Sequence, residues 1–455
     1  MTADNDTVFA PASGTARAAV NVIRVSGPRA LSGLGLLTGK TEPPPPRKAV
    51  LRSLTNPDDK RLIDRPLVLC FPGPESFTGE DVVEYHLHGG PAVTQSMLAC
   101  LGALAGHRMA EPGEFTRRAF ENGKIDLTSA EAINDLVMAE TEAQQSQALD
   151  QMDGVLARLY EDWRSRLVKS AAYLEATIDF ADEDLPEDEI YSQVQPGIKS
   201  LHNEISAHID DNRRGEILRD GIKIAIIGEP NAGKSSLVNA LARRDAAITS
   251  EIAGTTRDII EIHLNLGGYP VIIGDTAGLR PGSLGDDAQD RIESEGIRRA
   301  LEFARQADLK ILLFDGARLP EIHQPTLDLA GPGDCLVINK TDLDINVPDT
   351  VGGVAPIPIS TLEGSGLDIL TDTVKTRIES LLGRQSGPSP TRARHRQYLS
   401  RALEALDNAL DAAEKPPELL AEDLRVAARA IGQITGSVDV ENLLDVIFRD
   451  FCIGK

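Results

Sequence analysis

The residues best able to do chemistry stand together in Gly228-Glu-Pro-Asn-Ala-Gly-Lys-Ser235: glycine, four residues, then Gly-Lys-Ser. Such a loop curls so that successive backbone N–H groups point into one concavity at the positive end of a helix, which suits phosphate oxygens. Lys234 adds a cation for the β- and γ-phosphates, and the Ser235 hydroxyl can ligate Mg²⁺. The loop needs a strand before it and a helix after it. Ile222-Lys-Ile-Ala-Ile-Ile227 is a β-branched run suited to a buried strand, and Leu237 to Arg243 opens a helix. A chance glycine turn is the alternative for the pattern alone. The strand–loop–helix setting favours a nucleoside triphosphate site, with Asn231, Ala232, Gly233 and Ser236 as further contacts.

Three later stretches bear on which triphosphate binds. Val271-Ile-Ile-Gly-Asp-Thr-Ala-Gly278 is a strand ending in Asp-Thr-Ala-Gly. Asp275 is placed to hold the water shell of Mg²⁺ and the Gly278 N–H to sense the γ-phosphate, with Thr276 and Ala277 between them. Cys335-Leu-Val-Ile-Asn-Lys-Thr-Asp342 is a strand followed by Asn339-Lys340-x-Asp342. A carboxylate at Asp342 can accept from both guanine N1–H and N2–H₂, which adenine does not offer in that arrangement. A site built for those donors rejects the analogue lacking them by about 10⁴ or more. In Gly254-Thr-Thr-Arg-Asp258, Thr256 can reach Mg²⁺ and rearrange when the γ-phosphate leaves. In this order, each at a strand end, the patterns describe a GTPase.

Leu279 follows Gly278, where Ras-like proteins carry the glutamine that orients the attacking water. An apolar side chain cannot do that, so water must be positioned from elsewhere. Glu293 can reach the site once the switch closes; an exposed glutamate at a helix start is the alternative. Arg257 and Arg280 are the candidates for a charge-stabilising arginine, with switch-surface roles as the alternative.

These motifs need a scaffold, and 455 residues are too many for one core, so about three domains are expected. Residues 1–118 mix strands (Ala18–Val25, Leu67–Phe71, Val82–Leu87) with a helix from Val93 to Leu104, and Pro43–Pro46 marks a loop, which together read as a small α+β domain. From about 119 the texture changes, and Leu127–Leu185 is rich in Ala, Glu, Gln and Leu, with Ile133, Leu136 and Val137 at helical spacing. Long helices are expected there, with an acidic turn at Asp179–Glu189 and a stop near Gly215. Residues 217–383 alternate strands and helices around the phosphate loop, the pattern of a doubly wound sheet. Gly387-Pro-Ser-Pro390 reads as a linker, and the chain is helical again from Arg392 to Phe451. The α/β domain therefore reads as an insertion in a bundle made of two separated helical segments.

Composition narrows the function classes. Hydrophobic residues make up 41% and charged residues 26%, values ordinary for a soluble globular chain. No run of eighteen apolar residues occurs, so no membrane-spanning helix is expected, and the polar N-terminus does not read as a signal or transit peptide. The four cysteines include no CxxC pair, which suits a reducing cytosol and excludes the usual zinc spacing. A net charge of −23 repels nucleic acid on average, so an RNA partner needs a local basic patch. Arg392-Ala-Arg-His-Arg396 and Arg117-Arg118 are the clusters available, a solvated helix face being the commoner reading of each. His86 and His88 share one strand face; a metal pair is conceivable, and satisfied or solvent-edge histidines are the commoner case.

Outside the GTPase motifs, four further stretches stand out: Pro72-Gly-Pro-Glu-Ser-Phe-Thr-Gly-Glu-Asp81 with His88-Gly-Gly90, Pro112-Gly-Glu-Phe-Thr-Arg-Arg-Ala-Phe120, Asn122-Gly-Lys-Ile-Asp-Leu127, and the ending Phe451-Cys-Ile-Gly-Lys455. With them the chain resembles, end to end, the MnmE (TrmE) family of tRNA-modifying GTPases. The resemblance implies a multidomain α+β and α/β protein. Residues 1–118 would bind folate and dimerise, 119–216 and 384–455 would form the helical domain, and 217–383 would be an inserted Ras-like P-loop GTPase domain. It implies GTP, Mg²⁺ and K⁺ as ligands, and 5,10-methylenetetrahydrofolate (or a 5-formyl analogue) as one-carbon carrier. It also implies a cytoplasmic homodimer, joined in a heterotetramer to an FAD- and NADH-dependent partner, MnmG (GidA), that holds the FAD. Together these act on C5 of the wobble uridine of certain tRNAs, with no membrane involved.

Residue by residue, the resemblance carries folate contacts to Arg24, Glu84 and Lys124, and Mg²⁺ ligation to Ser235 and Thr256. It carries K⁺ ligation to Asn231, Ser250, Ile252 and Thr255, water orientation to Glu293, and a role in the modification step to Cys452. A monovalent cation at the phosphates would stabilise the charge that develops in phosphoryl transfer. One departure is Ser360-Thr-Leu362 in place of the usual Ser-Ala-Lys, with Ser360 still able to offer its backbone to guanine O6. For Cys452 a frayed-tail thiol is the bland alternative, and Cys-Ile-Gly-Lys also mimics a lipidation box, though with an atypical final lysine. A regulatory or ribosome-assembly GTPase without modification chemistry is the alternative for the whole. The acidic charge further suggests that MnmG supplies much of the RNA contact.

Overall fold

The structure, a computed structural model, describes residues 6–14, 17–179, 187–244, 261–274, 302–383, 387–411, 416–438, 440–449 and 451–454. They fall into two compact units, Met1–Asn134 with Gln151–Leu185 and Lys415–Lys455, and Asp135–Asp150 with Pro186–Glu414.

The first unit is built on a six-stranded sheet. Its strands are β1 (Thr7–Pro11), β2 (Val20–Ser26), β3 (Val50–Leu51), β6 (Leu67–Phe71), β7 (Val82–His88) and β8 (His107–Met109), in spatial order β3-β6-β7-β2-β1-β8. A two-stranded ribbon of β4 (Leu54–Thr55) and β5 (Leu62–Asp64) lies between them in the chain. Alternation decides the faces: Ile23, Val25, Val83, Tyr85 and Leu87 are buried while Arg24, Glu84 and His86 point to the opposite side. The buried face packs on the helices Ala30–Thr38 and Pro91–Ala103 through Leu34, Leu37, Met97 and Leu101. Each fully buried aliphatic side chain there contributes about 1.5–3 kcal/mol. The helix Pro417–Thr435 runs against Val155–Asp179 in the same unit, so helical segments far apart in sequence share one core. The helix Glu441–Arg449 and Phe451 then close over Leu127 and Ala130.

In the second unit a six-stranded sheet takes the order β10-β11-β9-β12-β13-β14, from β9 (Ile222–Gly228), β10 (Glu261–Leu266), β11 (Tyr269–Gly274), β12 (Leu309–Asp315), β13 (Cys335–Asn339) and β14 (Ile357–Pro358). Five strands are parallel and β10 alone pairs antiparallel with β11. The central parallel strands β9, β12 and β13 are mostly buried, hence their largely apolar runs, and Ile224, Ile226, Leu237, Leu313, Val337 and Leu370 share one core. The chain turns to opposite sides of β9, which places the switch point at the C-terminal ends of β9 and β12, where such sheets bind ligands.

One local expectation needs correction. The stop near Gly215 is instead the first turn of a short helix, Arg214–Asp220, that ends at Gly221 with φ 98°. The preceding long helix ends earlier, at Ile209. Gly215 serves a close approach, because the Pro390 backbone passes over it. Gly387–Pro390 is, as expected, irregular chain between two helices, and it is held in place: Pro390 is buried, Arg214 Nε donates to Ser389 Oγ at 2.5 Å and Arg214 Nη2 to Gly387 O at 3.3 Å. Of the acidic turn expected at Asp179–Glu189, residues 180–186 lie outside the described residues.

Candidate nucleotide-binding site

At the C-terminal edge of the second sheet, β9 runs into the phosphate loop and the helix Lys234–Arg244 begins directly after it. Asn231 turns the loop in the left-handed region at φ 66°, and Gly233 follows at φ 99°. A Cβ at Gly233 would stand 2.2 Å from Asn339 Nδ2, so this position admits only glycine. Lys234 Nζ donates to Gly228 O (2.9 Å) and Glu229 O (3.1 Å), which holds the ammonium inside the loop. Asn231, Ser235 and Ser236 are exposed, whereas Ala232 is buried. The exposed Ser235 hydroxyl, one position into the helix, suits a hard cation such as Mg²⁺.

Two strands away, β13 ends in Asn339, only 1% exposed. Its Nδ2 donates to Ala232 O (2.8 Å) and its Oδ1 accepts the Thr361 N–H (3.1 Å). One amide therefore ties the phosphate loop to both base-side loops. Lys340, at φ 68°, sends Nζ to Asp315 Oδ2 at 2.6 Å. Asp342 is half-buried, and its Oδ1 accepts from the fully buried Ser360 hydroxyl at 2.6 Å. The expectation that Ser360 offers its own N–H to a base is not met, because that N–H donates to Ser365 O at 3.0 Å. Ser360 instead acts through its hydroxyl, which fixes the Asp342 carboxylate. The arrangement can grip a polyphosphate at β9 and a base with two adjacent donors at β13. Ser250, Ile252, Thr255, Thr256, Arg257, Asp275, Thr276, Ala277, Gly278, Arg280 and Glu293 lie outside the described residues.

The first unit brings together a second set. Arg24 and Glu84 are register partners on β2 and β7, and Arg24 Nε donates to Glu84 Oε1 at 3.0 Å. The guanidinium lies 5.7 Å from the ring centroids of both Phe77 and Phe115. Lys124 is exposed, in a turn tied to the Pro72–Asp81 stretch by Asn122 Nδ2 donating to Thr78 O at 2.7 Å. The Phe115 helix, Glu114–Glu121, is anchored by Glu114, which accepts from Arg108 at 2.6 Å and Arg118 at 2.9 Å. Burial alone would raise the Glu114 carboxyl; hydrogen bonds from Arg108, the Glu111 N–H and Arg118 outweigh it and hold the group below the usual range.

That same helix receives the C-terminal tail. The Gly113 N–H donates to Cys452 O (3.3 Å), Ile453 bridges Pro112, and Phe451 is buried beside Phe448. Cys452 is exposed, while Cys70, Cys100 and Cys335 are buried, and burial pushes the Cys70 and Cys335 thiols up to about 11. Of the four cysteines, Cys452 is thus the exposed thiol.

Both ends of the chain match one family. Residues 7–124 match the model for the GTP-binding protein TrmE N-terminus and residues 127–452 the model for the MnmE helical domain. This chain belongs to the MnmE (TrmE) family. A tRNA modification GTPase MnmE of Parvibaculum lavamentivorans is 52% identical over 454 residues, covering 99% of this chain and 100% of that protein. The mitochondrial 5-taurinomethyluridine-tRNA synthase subunit GTPB3 of Danio rerio is 43% identical over 476 residues, covering 99% of this chain and 93% of its own. Among solved structures, the G domain of the T. maritima FeoB iron transporter aligns with 35% of this chain and 99% of its own at 22% identity, with a TM-score of 0.25.

In this MnmE-family chain several contributors escaped the motif reading. Asp315, the partner of Lys340, announces itself only as an acid closing an apolar strand. Phe77 and Phe115 lie inside stretches already singled out, but their approach to Arg24 brings a loop and a helix to β2 from far along the chain. The arginine clusters considered for RNA are taken up in ion pairs: Arg392 with Asp135, Arg396 with Asp211 and Glu216, Arg117 with Glu121 and Asp445, and Arg118 with Glu80 and Glu114. His86 faces Glu84 at 3.6 Å and His88 bonds Asp64 at 2.7 Å. Among the described residues no group of three or more His, Cys, Asp or Glu could hold a metal ion, and no helix is long and apolar enough to cross a membrane.

Proposed function

We propose that this protein is the GTP-hydrolysing subunit of a complex that places an aminomethyl or carboxymethylaminomethyl group on C5 of the wobble uridine of tRNA. The observation that carries this reading is membership of the MnmE family over 99% of the chain, from the N-terminal fold to the Cys452 tail. Residues 1–118 form the folate-binding and dimerising part, 119–216 with 384–455 the helical part, and 217–383 the GTPase part. GTP binds with its phosphates in the Gly228–Ser235 loop and its guanine on Asp342. Lys234 and the loop N–H groups hold the β- and γ-phosphates. Asn339 fixes the distance between the phosphate and base ends. Glu293 orients the attacking water, with Asp275, Thr276, Ala277 and Gly278 around the γ-phosphate.

Ser235 and Thr256 would hold Mg²⁺, and Asn231, Ser250, Ile252 and Thr255 would hold K⁺. The exposed Asn231 side chain at the loop rim suits that task. When bound, the two cations neutralise charge on the phosphoryl oxygens. In the other unit, Arg24, Glu84 and Lys124 would receive a folate carrying the one-carbon unit. The docked tail supports this reading, because it sets the Cys452 thiol beside the helix that carries Phe115. Hydrolysis drives the conformational change the modification needs, in a cytoplasmic homodimer working with the FAD- and NADH-dependent MnmG, which supplies much of the tRNA contact. GTP turnover at equal ionic strength in KCl and NaCl tests the cation assignment. Turnover should rise at least tenfold in KCl and the rise should vanish in Asn231→Ala, as roughly expected for one transition-state charge contact. Equal rates in both salts would remove K⁺ from the account and turn attention to Arg257 and Arg280.

A further inference from the structure

The corner after β12 lies between the two halves of the nucleotide site, because β12 sits between β9 and β13 in the sheet. The corner is the single turn Gly316–Arg318, and its two ends reach in opposite directions. At one end Asp315, 8% exposed, caps the turn by accepting the Ala317 N–H at 3.0 Å through Oδ1, while Oδ2 accepts Lys340 Nζ at 2.6 Å. At the other end Arg318 Nη1 donates to Glu229 Oε2 at 2.6 Å. Between them Gly316 packs so closely on Asn339 that a Cβ would stand 2.4 Å from its carbonyl oxygen.

Glu229 is unusual in itself. Its side chain is only 4% exposed in the loop that must accept a polyanion, and its carbonyl is one of the two that hold Lys234. Left unpaired, a buried carboxylate there would repel the incoming phosphates and be driven toward solvent, distorting the loop. We infer that Arg318 is a positioning residue for the nucleotide. It neutralises Glu229 and, through the Gly316–Arg318 turn and Asp315–Lys340, fixes the phosphate loop at a set distance from the base-reading loop. The inference rests on the GTP-binding reading of the same site. Arg318 is itself exposed, which screens the pair and limits its weight below that of a fully buried one.

The test is titration of the full-length protein with fluorescent GDP, together with the melting temperature of the nucleotide-free protein. Arg318→Ala should weaken GDP about tenfold, the loss expected when one partner of a half-screened charge pair is removed. Arg318→Lys should recover part of the loss. Adding Glu229→Gln to Arg318→Ala should restore affinity to within about threefold of the wild type, because the charge needing neutralisation is gone. A merely structural arginine would not be rescued by that second change, and its loss would appear as a lower melting temperature instead. Wild-type affinity in Arg318→Ala would overturn the inference. So would a double variant as weak as the single one. Failure of the wild-type protein to bind GDP would be a different result, overturning the nucleotide reading itself.

Discussion

Replacing Asp342 with asparagine should exchange guanine for xanthine. The carboxylate can accept from both N1–H and N2–H₂ of guanine, and hydrogen bonds to a charged group contribute about 1.5–3 kcal/mol each. An amide presents its NH₂ to one of those donors, so both bonds are weakened or lost. The cost is about 3–6 kcal/mol, or roughly 10²–10⁴ in affinity at 1.4 kcal/mol per tenfold. Xanthine carries an oxygen in place of the exocyclic amine and can accept from the new amide. The Ser360 hydroxyl, 2.6 Å from Asp342 Oδ1, orders the group before any base arrives. Ser360→Ala should therefore cost a further factor of about five, near 1 kcal/mol, without changing base preference. Competition of GDP and XDP against a fluorescent guanine nucleotide measures both effects. Thermal shift gives a second readout: at 100 times the wild-type Kd, GDP stabilises the wild type by about 2.7 kcal/mol and Asp342→Asn by under about 0.4 kcal/mol. If Asp342→Asn still prefers GDP to XDP, Asp342 does not read the base and the assignment of β13 is wrong.

Two more perturbations probe other links. Gly113→Ala puts a Cβ 2.8 Å from Phe448 O and 2.9 Å from Phe451 Cβ at a residue with φ 68°, so the tail that carries Cys452 should be displaced. The left-handed backbone alone costs about 1–2 kcal/mol. Tail proteolysis should quicken and modified tRNA fall severalfold while GTP turnover changes less than about twofold; an intact tail with full modification would show that the seat at Gly113 is dispensable. Burial pushes the His208 imidazole down to about 4, Arg396, His395 and Arg214 together opposing Asp211, which favours the charged form. The folded state then stays neutral where the unfolded chain, titrating near 6.5, takes up a proton. Stability from this group is complete above about 6.5 and is lost as pH falls toward 4, on the order of 1–3 kcal/mol. The fall in melting temperature from pH 7.5 to pH 5 should be smaller in His208→Asn, and an unchanged fall would assign the acid sensitivity elsewhere.

The phosphate loop and Asn339-Lys340-x-Asp342 were legible in the sequence because their chemistry is local. Each is a short run of fixed residue types at a strand end, and an apolar β-branched run names the strand. The strands β2, β6 and β7 were legible for the same reason, through alternation or continuous burial. What the residues did not disclose depends on pairing across the sheet. Arg318 and Glu229 are 89 positions apart and meet only because β12 lies beside β9. Ser360 was expected to contribute its N–H, but the turn from Ser360 to Ser365 spends that group on Ser365 and leaves the hydroxyl for Asp342. Gly215 read as a stop because glycine ends helices more often than it starts them. Its true constraint, the Pro390 backbone passing over it, comes from a residue 175 positions later in the chain.

The most direct test of the central claim takes tRNA from cells that lack this gene and carry the wild type, Lys234→Ala or Cys452→Ser, digests it to nucleosides and measures C5-substituted uridine. The wild type should restore the modified nucleoside and neither variant should, although Cys452→Ser should keep its GTP turnover. Unmodified uridine in cells carrying an actively GTP-hydrolysing wild-type protein would contradict the account and leave a GTPase without modification chemistry. Restoration by Lys234→Ala would contradict it from the other side, by showing that the modification does not need the nucleotide.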